Sequence, residues 1–458
     1  MELIVKPILV YRFFEKREKS SWRPWGGIQS RRDLEEEVER INNELKDLRE
    51  RADFQLNILP LSTISNIEEA EKIDEKMDVV LIYPSSGSSQ LLNKLSTMGK
   101  WTLFFIRHRS GPVYLWYEII HPRFLRNHTD QIVYRDIGID DIVIDDYQLL
   151  LKRLRALYGL KNTLNARIIA IGGPSGWGYL GYMNGPYLAR KLWNLDIITV
   201  TYKDLAVKLR KAKNNINLIR LAEHEAREYL NRYETSLKTD FKFVINAFIL
   251  YHVFKDLLEE YNARIITIRD CMSTIMPIAE TTACLVLSIL NDEGHLAFCE
   301  SDFVVIPSGI LLHYISGKPV FLNDPTTPHN GIVTLAHCTA PRKMDGINIE
   351  KADIVTHFES DYGAAPKVYM KKNQVVTIID PDFEGKLWII FKGKIIDNPS
   401  MNICRSQIEI EIEGDWHLLL EKMRGFHWML CYGDYLDEVE YALKKNGLKV
   451  LNCSKNKY

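Results

Sequence analysis

Short apolar runs alternate with helix-spaced charged segments through the first two-thirds of this chain, and no other feature restricts its fold as much. Residues 1–10 read as a strand, too short to span a membrane and without a small-residue cleavage site; residues 32–51 carry charges at helical spacing, and residues 54–59 read as β. An acidic, helix-like stretch then leads into Val79-Val80-Leu81-Ile82-Tyr83, and another apolar run fills residues 101–106. Strand, helix, strand in this rhythm predicts parallel sheets covered by helices, with ligands bound at the carboxyl ends of the strands. The small polar loop PSSGSS, residues 84–89, sits at one such end.

A second unit starts near residue 165, where Arg167-Ile168-Ile169-Ala170-Ile171 runs into the glycine-rich loop GGPSGWG. That loop is neither GxGxxG nor a phosphate loop with Lys-Ser/Thr, so a nucleotide-dependent enzyme ranks low; a tight turn near a substrate and a purely structural turn both fit. Apolar runs at 197–200, 243–248 and 263–268 continue the βα alternation. From residue 317 the character changes to short β-rich runs with Asp-Pro, Gly and Asn turns, then a helix over 436–445 and a strand over 449–451. The expected architecture is α/β: two Rossmann-like parallel-sheet domains, residues 1–162 and 163–316, followed by a β-rich barrel or sandwich domain, residues 317–458.

A formal net charge of −1, with 46% hydrophobic residues, does not point to nucleic acid or an anionic membrane as a partner. The basic clusters at Arg31-Arg32 and residues 208–213 read as solvated faces. Seven cysteines, widely spaced and without a CxxC pair, imply neither a disulfide framework nor a zinc knuckle, which fits a reducing cytoplasm.

Chemistry concentrates between residues 271 and 302. Pro277-Ile278-Ala279-Glu280 opens an apolar helix over 281–290, and a short strand ends at Cys299-Glu300-Ser301-Asp302, before a helical run over 303–314. Glu280 and Asp302 both stand at element ends, where a carboxylate caps a helix or faces a crevice at the sheet edge. His337, His357 and His427 each lie beside an apolar run, where a histidine is either a satisfied core residue or a ligand. Together these residues supply the oxygen and nitrogen donors that suit Mn²⁺, with Mg²⁺ or Co²⁺ possible, from distant segments.

The run CESDFVVIPSGILLHYISGKPVFLNDPTT (299–327), then AHCTAPRKM (336–344), HFESDYGAAPK (357–367), ICRSQIEIEIEGD (403–415) and GFHWMLCYGD (425–434), resembles in its order the L-fucose isomerase and L-arabinose isomerase superfamily. The resemblance covers residues 277–434; the first 160 residues share only the broad α/β pattern. It implies a cytoplasmic, metal-dependent aldose–ketose isomerase, with Glu280, Asp302 and His427 as ligands of a divalent metal, most simply Mn²⁺, and Glu280 and Asp302 also as the acid/base pair. The arabinose branch, with two carboxylates and two histidines, brings in Glu300 or His337. His337, Arg405 and Lys367 are then candidates for holding sugar hydroxyls or supporting the metal shell, each with an ion pair or core hydrogen bond as the alternative; Trp177 either stacks on a sugar or simply packs. The resemblance also implies a homo-oligomer, trimer or hexamer, acting on a small sugar. The rival from another class is a sugar-binding or regulatory protein that keeps this scaffold without turnover; the retained acids argue against it.

Overall fold

The computed structural model of the chain describes residues 1–458 except 24–26, 74–75, 87, 115–136, 233 and 456–458. By its internal contacts the chain divides into two compact units, Met1–Lys161 and Asn162–Tyr458.

The first unit is a parallel sheet. Strands β1 (Leu3–Val10), β2 (Leu56–Ile58), β3 (Ser62–Ile64), β4 (Val79–Pro84), β5 (Trp101–Ile106) and β6 (Ile142–Ile144) run in the order β2-β1-β4-β5-β6, with β3 also beside β1. Every residue of β4 and β5 is buried, the pattern of strands covered on both faces. The helix Arg31–Arg51 starts where the sequence provides a capping box: Ser30 Oγ accepts from the Asp33 amide and Asp33 Oδ2 accepts from the Ser30 amide. Gly87 of the PSSGSS loop lies outside the described residues; Ser85 Oγ donates to the Val10 carbonyl at 2.6 Å.

The second unit carries another parallel sheet, from β7 (Arg167–Ile171), β8 (Asp196–Val200), β10 (Ile265–Ile268) and β11 (Leu296–Phe298), ordered β11-β10-β7-β8; β9 (Thr235–Leu237) joins a separate small sheet. Strand order reverses between β7 and β10, so the loops after these strands flank the crevice where open α/β sheets bind ligands. The apolar run at 243–248, expected to continue the βα alternation, is a correction: it lies inside the helix Phe241–Glu260, which starts from an Asp240 cap. That helix buries side chains on several faces, and a helix without a polar stripe reads locally like a strand.

The rest of the second unit is β12 (Phe321–Pro325), β13 (Ile332–His337), β14 (Ala352–Val355), β15 (Ala365–Val368), β16 (Val375–Asp380), β17 (Leu387–Asp397), β18 (Ser406–Glu413), β19 (Trp428–Tyr432) and β20 (Lys449–Asn452). Six of these close an antiparallel barrel in the order β16-β19-β12-β13-β18-β17 and back to β16; β20 adds in parallel to β17, while β14 pairs with β9 on one side and β15 on the other. Of the two shapes expected for this region, the structure adopts the barrel. The pairing of β16 with β17 closes it, and along β18 Ile408, Ile410 and Ile412 are buried while Glu409, Glu411 and Glu413 alternate with them toward solvent. Among the described residues no single helix is long and apolar enough to cross a membrane.

Candidate metal centre

Four side chains meet where the parallel sheet adjoins one end of the barrel. Glu300 follows β11, Asp324 lies near the end of β12, His337 ends β13, and His427 directly precedes β19. Barrel register brings the last three together, because Asp324 pairs with Ala336, the neighbour of His337, and Asn323 pairs with Trp428, the neighbour of His427. Glu300 reaches them because both Glu300 (φ 64°) and Ser301 (φ 46°) adopt left-handed backbone. Two such residues in a row cost of order 1–2 kcal/mol each, a strain that concentrates at functional sites.

His427 is fully buried and its two nitrogens face different neighbours. Nδ1–H donates to Asp302 Oδ2 at 2.8 Å, which turns Nε2 toward the other side chains. Nε2 lies 3.2 Å from Glu300 Oε2 and 3.2 Å from Asp324 Oδ1. Yet Nε2 and Asp324 Oδ1 are both buried without a hydrogen-bond partner among the described residues. His337 Nε2 stands 3.7 Å from Glu300 Oε1, its Nδ1 facing Thr339 Oγ1 at 2.8 Å. The ligand atoms of Asp324, His337 and His427 lie within 4.8 Å of one another, and so do those of Cys299, Glu300 and His337. Either group can hold a metal ion. The imidazoles are buried, whereas Glu300 and Asp324 are about one-third exposed, so the centre opens to solvent on its carboxylate side.

The electrostatics favour positive charge at this point. Burial opposes ionisation of Glu300, but His337 and His427 beside it hold its carboxyl well below the usual range. Burial likewise works against a charged His427, yet Asp302 and Glu300 prevail and push it up to about 10. His337 is raised in the same manner, burial opposing and Glu300 and Asp324 raising it. Burial raises Asp324, with the two histidines opposing.

The glycine-rich loop after β7 forms one wall. Ser175 bridges to Asp302 as an isolated parallel pair: its amide donates to the Ser301 carbonyl at 3.1 Å and its carbonyl accepts from the Phe303 amide at 3.1 Å. Trp177 stacks on Phe426 with ring centroids 4.5 Å apart, and its indole N–H donates to Glu300 Oε2. Gly172 (φ 81°) lets the loop turn under Tyr202, whose hydroxyl would stand 2.0 Å from any added Cβ.

Of the residues singled out from sequence, the structure brings His427, Asp302, Glu300, His337 and Trp177 together. Asp302 is buried and accepts from His427 and from the Val304 amide, which places it behind the histidine rather than in either ligand group. Glu280 is a correction in placement. It follows the short helix Met276–Ala279 in left-handed backbone (φ 55°) instead of opening the next one, and its half-exposed carboxylate faces Lys213 at 3.4 Å and Lys242 at 3.9 Å. Arg405 braces a turn: it donates to the Thr356 carbonyl at 2.7 Å, lies 3.7 Å from Asp361 and covers the Phe358 ring. Lys367 donates to Ser400 Oγ at 2.8 Å and joins neither group. Asp324 was missed; its only local signal is an Asp-Pro at a strand end, which reads as a turn. No protein-family model matches the chain, and no curated protein shows a significant match to it.

Proposed function

We propose that this protein is a metal-dependent aldose–ketose isomerase acting on an open-chain sugar through an enediolate. The observation that carries the reading is that His427 Nε2 and Asp324 Oδ1, buried 3.2 Å apart, make no hydrogen bond among the described residues and share one ligand group with His337. Asp324, His337 and His427, with Glu300 beside His427, fit a divalent cation with oxygen and nitrogen preferences, for which Mn²⁺ is our choice. Such a cation supplies Lewis-acid stabilisation of the two enediolate oxygens.

The chain's own groups do the rest. Glu300 and Asp324 are the carboxylates open to a bound sugar, and one of them moves the proton between C2 and C1. Asp302 holds the orientation of the His427 ring by accepting from its Nδ1–H. Trp177 and Phe426, both partly exposed, give the sugar an apolar face beside Glu300. With this reading go two Rossmann-like domains before the barrel, a cytoplasmic setting and a homo-oligomer.

The test is metal-stripped protein supplied with Mn²⁺ and a panel of aldoses in deuterated water. Ketose formation with C2 exchange, abolished by Glu300→Gln or Asp324→Asn, supports the reading. Bound Mn²⁺ without exchange on any sugar removes the isomerase and leaves a metal protein.

A further inference from the structure

The second ligand group has a different chemistry from the first. Cys299, Glu300 and His337 place a thiol, a carboxylate and an imidazole within 4.8 Å of one another. A thiolate donor selects thiophilic cations, and the set of Asp324, His337 and His427 lacks one. His337 belongs to both groups, so one cation excludes the other. Cys299 is buried at the end of β11 and Glu300 is about one-third exposed, which lets a cation enter from the carboxylate side and meet the thiol below it.

We propose that Cys299, Glu300 and His337 form a site for a thiophilic divalent cation such as Cd²⁺ that overlaps the centre of Asp324, His337 and His427 and blocks it. Binding replaces the Cys299 S–H bond with a sulfur–metal bond and releases that proton to solvent; no oxidant is involved. The inference rests on the metal-binding half of the reading above and not on isomerisation.

The experiment titrates the metal-stripped full chain with Cd²⁺ alone and follows the ultraviolet thiolate-to-cadmium charge-transfer band. The band is expected to saturate at one equivalent, to vanish in Cys299→Ser, and to persist in Cys271→Ser and Cys338→Ser. Added Cd²⁺ is also expected to release bound Mn²⁺, seen as recovery of the free-ion paramagnetic resonance signal. Persistence of the band in Cys299→Ser, or simultaneous binding of both cations, overturns the proposal. Cadmium NMR of the unsubstituted protein covers the case of a misfolded variant: a resonance in the thiolate range supports the site, and one in the range of oxygen and nitrogen ligands alone refutes it. A protein that shows the band and isomerises no sugar keeps this site and loses the isomerase; one that isomerises with Mn²⁺ and shows no band does the reverse.

Discussion

Asp302 touches no atom of either ligand group except through His427, and its whole effect runs through one hydrogen bond. Partners of this kind orient metal-binding histidines, and their loss costs about 10- to 100-fold in metal affinity. Asp302→Ala is therefore expected to weaken Mn²⁺ binding by that order in a paramagnetic resonance titration, with Asp302→Asn recovering part of it because its amide oxygen still accepts from Nδ1–H. Equal affinity in all three proteins sinks the assignment. Glu350 has a different consequence. Its Oε1 accepts from the Tyr432 hydroxyl and the Lys371 amide, but Oε2 is buried without a hydrogen-bond partner among the described residues. Burial pushes this carboxyl up from 4.5 to about 7. Between those values the folded chain holds a proton that the unfolded chain has lost, so stability falls as pH rises through the window. Denaturation series at pH 5 and 8 are expected to show that loss, and Glu350→Gln to reduce it; an identical pH dependence in the variant refutes it.

The loop between β7 and the helix Gly178–Trp193 connects sheet, centre and surface. Its turn needs glycine at position 172, where the backbone is left-handed and Tyr202 occupies the space of a side chain while donating to the Arg269 carbonyl at 2.7 Å. Gly172→Ala is expected to destabilise by at least about 1–2 kcal/mol from backbone strain alone. Displacing Tyr202 adds to that, and thermal unfolding measures the sum. Further along the loop, Trp177→Phe keeps a ring for Phe426 and removes the N–H that holds Glu300. Weaker Mn²⁺ binding without a comparable loss of stability is the expected result, and unchanged affinity means that the indole serves packing only.

Every residue of both ligand groups falls within Asn162–Tyr458. A fragment of residues 162–458 is expected to unfold cooperatively in calorimetry and to bind Mn²⁺ as the full chain does; failure to bind makes the first unit part of the centre. Met1–Lys161 has its own buried polar core: Glu37 and Arg107 are fully buried and paired, Tyr114 donates to Glu37 at 2.6 Å, and Glu44 accepts from Arg107 and Tyr147. Removing one partner of a buried ion pair costs about 3–5 kcal/mol, so Glu37→Gln is expected to destabilise this unit by that order.

Periodicity alone located β1, β4, β5, β7 and the helix Arg31–Arg51 to within a few residues, because each is decided by local burial and local caps. Periodicity failed at 243–248, where a helix buried on several faces has no polar stripe to betray its period. Composition marked the acid- and histidine-rich segments as the place of chemistry, and spacing could not say which side chains meet. Only the tertiary structure decided that, through the register of β12, β13 and β19 and the left-handed pair at Glu300 and Ser301. It turned Asp324 inward and Glu280 outward, and it buried Glu37 on a helix whose sequence looks solvated. Elements are set by neighbours along the chain; ligand sets are set by neighbours in space, which strand pairing creates and no local pattern records.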